Sequence, residues 1–174
     1  MKYLVKFFVV TFFLIASTYA SAEQKVVVLD MKYVLNNSKA GKGAQDYLKK
    51  TFNNNAKKFS DMEKALKKEE SDLITQKNIL SKEEYSKKTD ALRKKVIDYQ
   101  SQRRASLDKI ATLRAESREK LIKKLEPIVD TYIKENNISI VMDKKNMIGG
   151  LNEYDITNII IEKLNKELPS LKLN

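Results

Sequence analysis

The 174-residue chain has no cysteine, no histidine and no tryptophan, and it holds only four glycines and two prolines. Without cysteine it has no disulfide, no lipidated thiol and no thiolate metal ligand. Without histidine it lacks the commonest metal ligand and general base. Four glycines do not build a phosphate-cradling loop, and no Gly-x-Ser-x-Gly elbow occurs. The residues therefore point away from an enzyme and call for no cofactor. The scarcity of proline and glycine has a positive side, because long stretches are free to be helical.

The chain opens "MKYLVKFFVVTFFLIASTYASAEQ". Lys2 and Lys6 precede an apolar run, and Ala20-Ser21-Ala22 stand ahead of Glu23, which is the pattern of a secretory signal peptide over 1–22 cleaved between Ala22 and Glu23. The competing reading, a membrane anchor, needs an apolar run of about 20 residues, and this one is shorter. Cleavage leaves 152 of the 174 residues, enough for one domain with an appendage. A protein exported without an anchor is expected in the space beyond the inner membrane, the periplasm.

The net charge of +11 is unevenly distributed. Residues 44–125 hold 22 Lys and Arg against 13 Asp and Glu, so +9 of the total falls in the middle of the chain. Such a field steers anionic partners and weakens as salt screens it. The plain alternative is a solvated helical surface written in lysine. Nucleic acid is the usual partner for so basic a chain, but export argues against a physiological one.

Residues 44–80 contain neither proline nor glycine, and Phe52, Phe59, Leu66, Leu73 and Leu80 recur every seven residues, with Leu48 and Met62 alongside. Ser81 and Glu84 then form a Ser-x-x-Glu capping box that starts a second helix. Along it Tyr85, Leu92 and Tyr99 repeat by seven, and an apolar stripe continues through Val96, Leu107, Ile110, Leu113 and Leu121 to at least Leu125. Two such stripes predict an antiparallel helical hairpin over 44–125, with arms about 55 to 65 Å long. Asn55, Glu69, Gln76 and Arg103 fall on its seam. Weak self-packing there would leave Phe52, Phe59, Met62, Leu66, Tyr85 and Tyr99 to a partner; the alternative is a coiled coil that tolerates polar registers. Pro127 predicts a kink or break where the arm meets the rest.

The rest comprises 23–43 and 126–174. "KVVVLD" and "NISIVMD" read as strands, residues 146–150 as a third short strand, and "YDITNIIIEKLNKEL" as a helix capped by Asp155. The fold class is thus α+β, mainly α: a small β-strand oligomerisation body with the helical hairpin inserted between its paired strands. A body this small buries little of its surface, so self-association through the strands is expected.

The signal peptide, "VVVLDMKYVLNNSKAGKGA", the charged hairpin, "ISIVMDKKNMI" and the terminal "YDIT" helix together resemble the Skp/OmpH periplasmic chaperones, and the resemblance covers essentially the whole secreted chain. It implies a homotrimer whose strand body carries three arms around unfolded outer-membrane β-barrel proteins, an ATP-independent holdase. It also implies contact with lipopolysaccharide or an anionic membrane surface, for which Lys94, Lys95, Arg103 and Arg104 are the candidates. The alternative from another class is a coiled-coil spacer or adaptor of the cell envelope that binds a folded partner.

Overall fold

A computed structural model of the protein describes residues 24–173, so the signal-peptide reading over 1–22, with Ala22 and Glu23, lies outside the described residues. Two strands, β1 (Lys25–Leu29) and β2 (Ile138–Asp143), form a parallel pair although more than a hundred residues separate them. Between them run a short helix α1 (Met31–Asn37) and the two long helices α2 (Lys39–Thr75) and α3 (Lys82–Glu135); helix α4 (Thr157–Glu167) follows β2. The fold is α+β and mainly α, with the hairpin inserted between paired strands as the sequence predicts.

The body closes around one core. Val27 and Leu29 of β1, Val34 and Leu35 of α1, Leu121, Leu125 and Ile128 of α3, and Ile160 and Leu164 of α4 are buried together. Each is apolar; the helices each turn one apolar stripe inward, while β1 buries Val27, Val28 and Leu29 in succession and is covered on both faces, so burial rather than intrinsic propensity sets the arrangement.

Local hydrogen bonds fix how the elements meet. Asp30 ends β1 and starts α1: its Oδ1 accepts from Tyr33 N at 2.7 Å, and its own N–H donates to Thr157 Oγ1 at 2.9 Å. The "DIT" tripeptide is a clasp. Asp155 Oδ1 accepts from Thr157 N at 2.9 Å, and Ile156 N–H donates to the Val28 carbonyl at 2.9 Å, which docks the start of α4 on the edge of β1 away from β2. Asp155 also pairs with Lys144 at 2.6 Å; hydrogen bonds from Lys144 and Thr157 hold its carboxyl below the usual range against the opposing effect of burial.

Three expectations need correction. Residues 146–150 add no strand: Asp143 accepts from Lys145 N at 3.1 Å, a tight 3-10 turn over Lys144–Asn146 follows, and the chain leaves the sheet. Among the described residues the sheet has two strands, so the outer edge of β2 is unpaired; Ile140 and Met142 of β2 are exposed, with fully exposed Ile148 and exposed Leu151 in the loop beyond. Pro127 does not break α3, which runs through it to Glu135. Its ring lies on the solvent side, where water can satisfy the freed carbonyl, while Leu125 and Ile128 on either side are locked in the core. The first arm helix stops at Thr75 rather than reaching Leu80, because the Thr75 hydroxyl donates to the Asp72 carbonyl at 2.8 Å and the Gln76 amide is shared between earlier carbonyls, tightening the last turn.

The helix starts at Lys39, earlier than the stripe alone suggests, because Ser38 caps it: the buried Ser38 Oγ accepts from Gly41 N at 3.1 Å. The Lys39 N–H, another orphan donor, is taken by Asn165 Oδ1 at 2.6 Å, which ties the root of the arm to α4.

Candidate functional site: the helical arm

The tip is built as the capping box requires. Ser81 Oγ accepts from Glu84 N at 3.3 Å, and Glu84 Oε2 accepts from Ser81 N at 3.1 Å. The Ser81 hydroxyl and backbone N–H hold the Glu84 carboxyl below the usual range. Ile74 and Ile79 flank the turn and are exposed.

The seam differs from a row of gaps. Asn55 Nδ2 donates to Ser106 Oγ at 2.7 Å, Lys95 Nζ reaches both Glu69 carboxylate oxygens at 2.6 and 2.8 Å, and Lys88 Nζ donates to Gln76 Oε1 at 2.8 Å. Three of the four polar seam positions therefore have a partner on the opposite helix. The part-buried Asn55–Ser106 pair favours one register, as polar residues at coiled-coil core positions do, while the Lys95–Glu69 and Lys88–Gln76 pairs are exposed and add little. Arg103 has no ion-pair partner among the described residues.

The six candidate contact residues are not alike. Phe59 is only 7% exposed and packs edge-on against Tyr99, with ring centroids 6.0 Å apart, so its ring belongs to the seam. Met62, Leu66, Tyr85 and Tyr99 are half-buried, each offering one side to solvent. Phe52 is 49% exposed and is the most open of the six. Across the seam Leu107 is 48% exposed, a site the sequence reading placed in the stripe without singling it out.

Phe52 and Leu107 border a cleft of ≈ 250 Å³ between the helices, with Phe59, Tyr99 and Ile110 among its walls and Arg103 at its rim. A larger cleft of ≈ 690 Å³ adjoins it toward the body and shares Phe52 and Ile110, with Leu48, Lys49, Arg114 and Arg118 among its lining residues. The four cations suggested for an anionic surface do not form one cluster. Lys95 is engaged by Glu69, Arg103 edges the cleft, and Lys94 and Arg104 are exposed ten residues apart, about 15 Å along the helix.

A small two-strand body carrying one long basic helical hairpin defines a class, and comparison with known proteins places the chain within it. A family model described as Outer membrane protein (OmpH-like) matches residues 25–164, which takes in the whole hairpin and most of the body; the chain belongs to this family. A Skp-like protein from Pseudomonas aeruginosa is 25% identical over 166 residues, covering 95% of this chain and 99% of that one. A crystal structure from Caulobacter crescentus, described as an outer membrane chaperone (OmpH-like), superposes with a TM-score of 0.81 over 90% of this chain and 93% of the other, at 15% identity. At that identity the likeness is one of fold.

Among the described residues no helix is long and apolar enough to cross a membrane. No group of three or more acidic side chains there is placed to hold a metal ion.

Proposed function

We propose that the protein is a periplasmic, ATP-independent holdase that binds unfolded outer-membrane β-barrel proteins along its arms and keeps them from aggregating. Membership of the OmpH-like family supports this class of function. The observation that carries it is the arm itself: exposed Phe52, Ile74, Ile79, Ile97 and Leu107 are spaced along a hairpin whose residues 44–125 bear +9. A non-native chain with apolar and acidic segments finds many small contacts on such a surface, each contributing by apolar burial and all favoured by steering. No single contact has to be strong, and none requires nucleotide.

The assembly we infer is a homotrimer joined through the body, residues 23–43 and 126–174, with residues 44–125 as the free arm. The open edge of β2 and exposed Ile140, Met142, Ile148 and Leu151 support self-association, because an unpaired strand edge with apolar neighbours is normally covered. The cross-seam pairs favour one second reading, an envelope spacer, since they make the hairpin self-sufficient. Dilution of a urea-unfolded barrel protein into the chaperone separates the two: a holdase keeps it soluble, and a spacer leaves its aggregation unchanged.

A further inference from the structure

The two clefts share Phe52 and Ile110 and lie along the same side of the hairpin. Their lining runs from Gly41 to Glu63 on α2 and from Tyr99 to Leu121 on α3. Each stretch is 22 residue steps, about 33 Å of helix. An extended peptide rises about 3.3 Å per residue, so the groove matches roughly ten residues.

Its chemistry is sorted. Leu48, Phe52, Leu107 and Ile110 provide apolar contact, two of them about half exposed. Lys49, Arg103, Arg114 and Arg118 stand along the same groove, and none has an ion-pair partner among the described residues. The acidic groups on the groove are Asp46 and Glu63, and Glu63 is already neutralised by Lys67 at 2.7 Å. Elsewhere on the arm Lys67, Lys87, Arg93, Lys95 and Lys123 have a carboxylate partner and most other cations have none among the described residues, so what marks the groove is the placement of its cations beside exposed Phe52 and Leu107.

We infer that this face is a peptide groove that takes an extended segment of about ten residues in which aromatic and acidic side chains are interspersed. The segment's aromatic rings would pack on Phe52 and Leu107, and its carboxylates would meet Arg103, Arg114 and Arg118, where guanidinium forks give charge-assisted bonds. This inference rests on the chaperone reading and adds to it a defined site, a side and a sequence preference for the client.

The test titrates the secreted protein with a fluorescent ten-residue peptide of alternating Phe, Asp and Ser, and with the same peptide carrying Lys in place of Asp. The double variant Arg103→Glu/Arg114→Glu is expected to bind the acidic peptide at least tenfold more weakly. Lys109→Glu/Lys120→Glu, an equal charge change at exposed positions off the groove, is expected to lose less than twofold, with helix content unchanged in both. Phe52→Ser provides a variant at an exposed position should the arginine variant misfold, and its affinity is expected to fall several-fold.

Equal losses in the two charge variants would reduce the groove to a diffuse field and overturn the inference, as would wild-type preference for the lysine peptide. Phosphatidylglycerol vesicles that bind through these arginines while the peptide does not would assign the face to lipid instead. A lower particle mass in the groove variant would assign it to a second copy of the chain. If the wild-type protein keeps an unfolded barrel soluble but binds no peptide, the groove fails and the chaperone reading stands; if the barrel aggregates, the chaperone reading itself fails.

Discussion

Gly41 and Gly43 lie two residues apart in the same turn of α2, and replacing each with alanine should change stability in opposite directions. At Gly41 a Cβ would stand 1.9 Å from the Leu35 carbonyl oxygen, 2.9 Å from its carbon and 3.0 Å from Ser38 Oγ. Ordinary contact begins at 3.4 Å, so the end of α1 would have to retreat by about 1.5 Å. It has little freedom to do so, because Leu35 is buried and Ser38, at the cap between α1 and α2, is fully buried. Overpacking of this kind costs about 3 kcal/mol at the upper end of its usual range, and removal of a helical glycine returns about 1 kcal/mol. The net is a destabilisation of about 2 kcal/mol, or roughly 4–8 °C in Tm for a chain of this length. At Gly43 a Cβ meets nothing within 4 Å, so only the propensity gain remains. Gly43→Ala should raise Tm by about 2–4 °C. Thermal unfolding followed at 222 nm, at one fixed protein concentration because the oligomer couples assembly to stability, reads both. Shifts of the same sign in the two variants would refute the packing of α1 against the root of the arm.

Thr157→Val should cost about 1–3 kcal/mol by leaving the Asp30 N–H without its acceptor, measured by urea unfolding. Asn55→Ala should lose about 1 kcal/mol, whereas joint replacement of Asn55 and Ser106 by apolar residues should be nearly neutral for stability while loosening register, which spin labels on the two helices would detect. Pro127→Ala should stabilise by about 1–3 kcal/mol, since α3 is already continuous through the position and regains a donor. The Glu84 carboxyl is more acidic when folded than its ordinary value near 4.5. Its contribution to the tip is therefore complete above that value and fades as pH falls through the lower folded one, so protection of the tip amides, taken relative to the intrinsic exchange rate at each pH, should fall there in wild type and show a weaker pH step in Glu84→Gln.

The capping box at Ser81, the two β-branched strands and the helix after Asp155 were legible because each is a local pattern with a local physical cause, although the N-cap is Ile156 and Asp155, one residue earlier, accepts from Thr157 N. The pairing of β1 with β2 followed from placing the hairpin between them, whereas its parallel sense is set by the packed body and has no local signal. The polar seam was legible as residues but not as bonds, because the partners of Asn55, Glu69 and Gln76 lie 51, 26 and 12 positions away and depend on a register that only the packed pair defines. The need for glycine at 41 is likewise invisible locally, being set by the approach of the Leu35 carbonyl from another helix. Pro127 predicts a kink or break from its missing donor alone, but Leu125 and Ile128 on either side are held in the core and keep the helix continuous. The apolar stretch at 146–150 resembles a strand in composition, but Asp143 turns the chain away before it can pair. Of the candidate contact residues, burial separated Phe59 from Phe52, a difference that equal spacing in the heptad concealed.

The most direct test of the holdase account is the light-scattering mass of the secreted protein, alone and after a urea-unfolded outer-membrane β-barrel protein is diluted into it. The account predicts a trimer that becomes a soluble species heavier by one barrel chain. A particle of unchanged mass beside an aggregating barrel would contradict it.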